Sequence, residues 1–268
     1  MPPTNADQLR RYLEFYRDLG VKTIYRQGLG IGGRRPETSP QDAHSVELQA
    51  PPASANANPD LGRPAATHGA EPQPPTPSPQ ILRAIREDIG DCHRCQLCEG
   101  RTNIVFGVGN EQSPLVFVGE GPGADEDAQG IPFVGRAGQL LTQMIENTAH
   151  KEGIELRRED VYICNVVKCR PPNNRTPEAD EMATCGQFLE RQLEALAPKA
   201  ICALGGTAAK FLTGHKEGVT KLRGKWFKWR EIPLMVTYHP SFLLRAYNQA
   251  AKRESWEDLK RVLHFVYD

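Results

Sequence analysis

The segment Leu115–Leu141, LVFVGEGPGADEDAQGIPFVGRAGQLL, constrains the fold more than any other. Its apolar run Leu115-Val116-Phe117-Val118 reads as a short buried strand. The strand enters a glycine-rich bend, Gly119-Glu120-Gly121-Pro122-Gly123. Three acids follow, Asp125-Glu126-Asp127, then a Gly130-Ile131-Pro132-Phe133 turn and a helix starting near Arg136. Loops at the carboxyl ends of parallel strands are where open α/β sheets bind ligands. A phosphate is a poor candidate here. Phosphate cradles offer backbone N–H groups and a helix N-terminus to an anion, whereas Glu120, Asp125, Glu126 and Asp127 would repel one, and the Gly-Lys-Ser/Thr signature is missing. An acidic pocket beside Phe133 suits a neutral flat ligand or a developing cation. An acidic surface loop with structural glycines is the plainer reading of the same residues.

The rest of the chain alternates strands with helices, the pattern of a parallel sheet covered on both faces. Strands are expected at 161–167, 200–204 and 232–238, with a strand or hairpin at 226–229. Helices are expected from Ile81, with a face through Ile81, Ile85 and Ile89; at 136–150; from a Thr176 N-cap to about Ala197; and from about Glu254 to Phe265. Ahead of these, residues 1–33 contain a short amphipathic helix. Residues 34–80 hold 11 of the 22 prolines and read as a disordered linker, because so little apolar surface cannot offset the entropy of ordering. The folded domain is therefore expected over 81–268. The 33 basic and 33 acidic side chains balance, so net charge neither favours nor excludes nucleic acid. No apolar run reaches the roughly 20 residues of a membrane span, and the N-terminus has no signal-peptide pattern; a cytoplasmic protein is expected.

Seven cysteines in such a chain point to metal rather than disulfides. Cys92-x2-Cys95 with Cys169-x15-Cys185 could hold zinc or an iron–sulfur cluster, spacing alone not deciding between them. Cys98 rivals Cys95, and Cys164 and Cys202 fall inside strands as packing residues. A second cluster is basic: residues 215–230, HKEGVTKLRGKWFKWR, carry six Lys/Arg against one Glu, interleaved with Trp226, Phe227 and Trp229. Basic side chains beside aromatics suit a nucleic-acid backbone and its bases; a hairpin with snorkelling lysines is the alternative. Lys168, Arg170, Arg175 and Arg245 follow strand ends and can share a face with the glycine loop. His239, in His239-Pro240-Ser241-Phe242-Leu243-Leu244-Arg245, follows the fourth core strand and is placed to donate to a ligand oxygen.

From about Ile81 onward the chain resembles the family 4 uracil-DNA glycosylases, the iron–sulfur branch of the uracil-DNA glycosylase superfamily. The resemblance rests on GRTNIVFGVGN, VGEGPGADEDAQGIPFVGRAGQLL, DVYICNVVKCRPPNNRTP, GVTKLRGKW and YHPSFLL, in that order. It implies a four-stranded parallel sheet flanked by helices, and a [4Fe–4S] cluster on Cys92, Cys95, Cys169 and Cys185. It implies a uracil site made by the Glu120-Gly121 backbone, Phe133, Asn165 and His239. An Asn amide can pair with both N3–H and O4 of uracil, while cytosine presents the opposite pattern and leaves groups unpaired.

The implied reaction is hydrolysis of the N-glycosidic bond of a deoxyuridine extruded from DNA, single- or double-stranded, leaving an abasic site. Charge develops on the sugar and on the departing base, and the enzyme must stabilise both. Acids beside Glu120 suit the sugar cation and a positioned water; His239 suits the uracil anion. Gly121 stands where related family 1 enzymes have Asp, so Glu126 is expected to position the water, with Glu120 the rival. The candidate DNA contacts are Lys221, Arg223, Lys225 and Arg245, with Leu243, aided by Phe242, filling the gap left by the base. Turnover as a monomer is expected, the N-terminal segment being available to a protein partner. The competing reading is a non-catalytic iron–sulfur or zinc module that binds DNA and recruits a partner.

Overall fold

The computed structural model describes residues 78–245 and 248–268. The expected N-terminal helix and almost all of the proline-rich linker lie outside them. Helix α1, Pro79–Ile89, starts two residues ahead of the expected Ile81, on Pro79 itself. Proline suits a first helical turn, where its missing N–H would have no partner. The buried face of α1 is Leu82, Ile85 and Ile89, while Ile81 is 51% exposed. The expected face was therefore one residue out of phase at its first member.

A six-stranded mixed sheet organises the domain. Its strands are β1 (Val108–Gly109), β2 (Leu115–Gly119), β3 (Tyr162–Asn165), β4 (Ala200–Leu204), β5 (Trp226–Trp229) and β6 (Ile232–Thr237), in the order β1-β3-β2-β4-β6-β5. The central four, β3-β2-β4-β6, are parallel, as expected. Two antiparallel edges were not counted in that expectation. β1 pairs with β3, and β5 forms a hairpin with β6. β1 is two residues long, too brief to leave a periodic signal.

Side-chain alternation in the central strands divides the core. In β2, Val116 and Val118 face a layer that includes Leu82, Ile85, Phe188 and Leu193, from α1 and α4 (Ala179–Leu196). Leu115 and Phe117 face the opposite layer, where α3 (Arg136–Lys151) and α8 (Gln249–Tyr267) contribute Leu141, Ile145, Leu259 and Leu263. Every residue of β2, β3 and β4 is buried. Burying an aliphatic side chain contributes roughly 1.5–3 kcal/mol, against about 1–2 kcal/mol per residue for ordering the backbone. Strands of four or five residues hold on that margin. The remaining helices are short: α2 (Ala124–Gln129), α5 (Gly206–Thr213), α6 (Val219–Leu222) and α7 (Pro240–Leu243).

Two boundaries depart from expectation. Helix α4 is capped by Glu178 rather than Thr176, the Glu178 N–H donating to Glu181 Oε2 at 2.7 Å. Arg175 grips the same carboxylate through both terminal nitrogens, at 2.6 and 2.8 Å, which holds 176–178 outside the helix. Helix α8 starts five residues ahead of Glu254, at Gln249.

Candidate active site

A cavity of about 440 Å³ opens at the carboxyl ends of β2, β3, β4 and β6, within the size range of small-molecule sites. Glu120, Gly121, Phe133, Asn165 and His239 all line it. The parallel register sets Gly119 beside Asn165. Beyond the strand ends the pairing continues, Val166 N–H donating to Gly119 O (3.0 Å) and Val167 N–H to Glu120 O (3.1 Å). The glycine bend and the Asn165 edge are thereby fixed to one another.

Asn165 is 1% exposed, and its Oδ1 has no hydrogen-bond partner among the described residues. Its backbone is pinned from behind, where Lys168 Nζ donates to Asn165 O at 2.7 Å. A Cβ on Gly119 would overlap both this amide oxygen and the Phe133 ring, so only glycine lets the two approach. Phe133 adopts φ 55°, a left-handed conformation that strains a non-glycine residue. Gly138 of α3 packs directly on the Phe133 backbone, where a Cβ would fall inside its carbonyl group.

His239 follows β6, its ring 5.5 Å centroid to centroid from Phe133. Nδ1 accepts from the Ser241 N–H at 3.2 Å and lies 2.8 Å from Ser241 Oγ. With Nδ1 accepting, the proton sits on Nε2. Burial pushes the imidazole down to about 4, the nearby Glu126 opposing only in part. The ring is neutral at pH 7 and is an N–H donor.

The acids of the glycine loop have separate duties. Glu126 Oε1 accepts from Val134 N–H and Gly135 N–H, both at 2.9 Å, and Oε2 accepts from Gly123 N–H at 3.1 Å. Asp127 is buried and accepts from the N–H groups of Thr102 (2.8 Å) and Asn103 (3.2 Å). Glu120 faces the cavity and accepts a hydrogen bond from the Thr207 hydroxyl. Thr207 lies in the first turn of α5, directly after Gly205 and Gly206, which line the cavity. The position of this Gly-Gly-Thr directly after a parallel strand is the signal in the sequence that marks it.

Cys92, Cys95, Cys98, Cys169 and Cys185 surround one small cavity on the side of α1 and α4. The N–H of Lys168 donates to Cys185 Sγ (3.2 Å), and Arg101 Nη1 to Cys169 Sγ (3.5 Å). Burial raises the thiols of Cys95, Cys169 and Cys185, and each is raised further by at least one other of these cysteines. Among the described residues no three His, Cys, Asp or Glu groups are gathered as they would be around a single metal ion. Cys164 and Cys202 are fully buried in β3 and β4, as their strand positions suggested.

The expected DNA contacts separate into two groups. Lys221, Lys225 and Arg245 are exposed. Arg223 is not free, because its Nε donates to Asp258 Oδ2 at 3.0 Å and its Nη2 to Glu254 O at 3.2 Å. Leu243 is 1% exposed and belongs to the core layer under α8, whereas Phe242 and Leu244 stand at the surface. The one-turn α7 turns Leu243 inward and leaves its neighbours out. Of the basic stretch, Lys228 and Arg230 flank the β5–β6 turn at the far end of the sheet and pair with Glu231 and Glu190. No helix among the described residues is long and apolar enough to cross a membrane.

The fold and cavity define a class: an α/β protein with a slot where parallel strands end, lined by an aromatic face, a buried amide and an imidazole. A family profile for the uracil DNA glycosylase superfamily matches residues 106–260. The chain is 46% identical over 192 residues to a type-4 uracil-DNA glycosylase of Thermotoga maritima, covering 70% of this chain and 95% of that one. It is 44% identical over 191 residues to the type-4 enzyme of Archaeoglobus fulgidus, covering 68% and 92% respectively. The type-4 enzyme of Sulfurisphaera tokodaii is 43% identical over 189 residues, covering 68% and 83%. The chain belongs to the uracil DNA glycosylase superfamily and, within it, to the type-4 uracil-DNA glycosylases.

Proposed function

We propose that the chain removes uracil from DNA by hydrolysing the bond between N1 of the base and C1′ of the sugar, as the first step of repair. The observation that carries this reading is the unpartnered Asn165 amide oxygen, buried beside the Phe133 ring in a slot of small-molecule size. Buried polar groups nearly always have partners, and an orphan acceptor facing a cavity wants a ligand N–H. Uracil N3–H supplies it, and the same amide's NH₂ reaches O4. Phe133 stacks on the ring face, and His239 donates Nε2–H to O2.

As the glycosidic bond breaks, its electron pair passes to the uracil ring and the charge reaches O2. A neutral imidazole already oriented by Ser241 stabilises that charge without first giving up a proton. The cation left at C1′ is captured by water, whose oxygen bonds to C1′ and whose proton passes to Glu120. Glu126 is the acid expected from the sequence for this step, with Glu120 its rival. Glu126 spends its oxygens on three backbone N–H groups, which tie it to the loop and leave it little freedom to meet a water. Glu120, held by the Thr207 hydroxyl and facing the cavity, suits the role better. Lys221, Lys225 and Arg245, with exposed Phe242 and Leu244, are the residues offered to the DNA strand.

Cys92, Cys95, Cys169 and Cys185 are the proposed ligands of a [4Fe–4S] group. Four of the five thiols around that cavity make up the donor set such a group requires, and the N–H donors at two of the sulfurs suit thiolate charge. When bound, the group would supply bonds to sulfur that cross-link the segment before β1 to the β3–α4 loop and to α4.

The test is release of free uracil from a uracil-containing single strand, comparing wild type with His239→Ala and Glu120→Ala. Release by wild type and its loss in both variants is the expected result. No release, with DNA binding intact, would favour the non-catalytic module instead.

A further inference from the structure

Arg158 lies in a turn of 3-10 helix (Arg158–Asp160) between α3 and β3, outside the cavity and outside every motif discussed so far. Its guanidinium is partly buried, yet both of its described bonds go to neutral oxygens. Nη2 donates to Pro132 O at 2.6 Å, and Nη1 to Thr142 Oγ1 at 3.0 Å. The Arg158 backbone is itself anchored, its N–H donating to Glu146 Oε1 at 3.2 Å. The carboxylates of Glu146 and Glu126 lie near enough to favour the guanidinium charge against partial burial, while its hydrogen bonds are spent on the carbonyl and the hydroxyl.

The Pro132 carbonyl belongs to the peptide plane that precedes Phe133, and the orientation of that plane relative to Cα sets φ. The Val134 N–H belongs to the plane that follows, whose orientation sets ψ. Arg158 holds the first plane, and Glu126 holds the second through Val134 and Gly135. Two side chains of opposite charge, approaching from opposite ends of one residue, fix both of its dihedral angles. That residue is the one in the strained left-handed conformation, and its ring is the aromatic wall of the cavity.

We propose that Arg158 is a positioning residue for base excision, fixing the Phe133 ring as the stacking platform by holding the Pro132 carbonyl. The proposal rests on the uracil reading of the cavity for its effect on catalysis. Its structural half, restraint of residues 132–135, is independent of that reading.

The experiment uses full-length protein carrying Arg158→Met or Arg158→Lys, each alone and combined with Phe133→Leu. Uracil release under single-turnover conditions should fall roughly 10–100-fold in Arg158→Met, the scale expected for a misplaced positioning element. Affinity for a thymine-containing strand should stay within about twofold, since Arg158 touches no part of the DNA-facing surface. Arg158→Lys keeps one donor and should fall between. In the Phe133→Leu background, Arg158→Met should cost little more, because the platform it serves is gone. Hydrogen exchange of the Val134 and Gly135 amides should quicken in Arg158→Met. Unchanged exchange, unchanged release, or losses that multiply in the double variant would each overturn the proposal. If wild type releases no uracil, the functional reading fails, and amide exchange still decides the restraint. Should Arg158→Met fail to fold, Arg158→Lys carries the same measurements.

Discussion

Replacing Asn165 with Ala tests the slot most directly, because activity and stability should respond differently. Among the described residues Asn165 Oδ1 has no protein partner, and it lines the cavity. Replacing the side chain with Ala therefore breaks no protein hydrogen bond at that oxygen. What remains is lost packing, on the order of 1–2 kcal/mol, so the melting temperature should fall by only a few degrees. With substrate bound the account is different. Uracil N3–H and O4 would enter a closed slot with nothing to meet, and each unpaired group costs about 1–3 kcal/mol. A loss of roughly 2–6 kcal/mol corresponds to about 30-fold to 10⁴-fold in kcat/KM at 1.36 kcal/mol per decade. Uracil release from a single-stranded oligonucleotide measures the loss, and thermal unfolding and salt-dependent DNA binding serve as controls. Excision within threefold of wild type, or a collapse in stability matching the loss of activity, would refute the reasoning.

The other predictions concern the acids, the imidazole and the thiols. Glu120→Gln should lower kcat by about 10²–10⁴-fold with little change in melting. Glu126→Ala orphans three N–H groups and should cost about 2–5 kcal/mol of stability; the reverse pattern would return the base role to Glu126. His239, held down to about 4 by burial, should show no NMR titration step near its ordinary 6.5. The stability it contributes is complete above pH 6.5 and is lost as pH falls toward 4; a ring titrating at 6.5 would contradict the enclosed slot. Cys169→Ser should lower bound iron and acid-labile sulfide in purified protein, and an unchanged iron content would remove Cys169 from the proposed ligand set.

Much of this arrangement could be read from the chain because some signals are local. Leu115–Val118 had to be a strand buried on both faces, and Gly119 had to end it. Asn165 and His239 close parallel strands, so topology alone sends both toward one end of the sheet. What escaped reading depends on backbone partners, which no motif records. Glu126 and Asp127 look like two acids in a charged loop, but their oxygens are spent on main-chain N–H groups 8 to 25 residues away. Arg158 resembles any basic residue in a turn until the Pro132 carbonyl is found opposite it. Leu243 was misplaced for a related reason: a four-residue helix has no periodicity to show which way it faces, and here α8 and α3 claim that side chain.

The acidic loop therefore has a physical account different from its composition. Four acids near one cavity suggested an electrostatic pocket for a cation. Two of them instead act as rivets, one holding the Thr102–Asn103 segment and the other the turn after Phe133, whose backbone is left-handed. A carboxylate accepting several N–H bonds holds a turn more firmly than a neutral acceptor does. It also carries a charge that its donors largely compensate. On the proposed reading, the negative field offered to the sugar then comes chiefly from Glu120, with Asp125 at the solvent-exposed rim. Two carboxylates keep a field for a developing cation while repelling the phosphates of the strand less than four would.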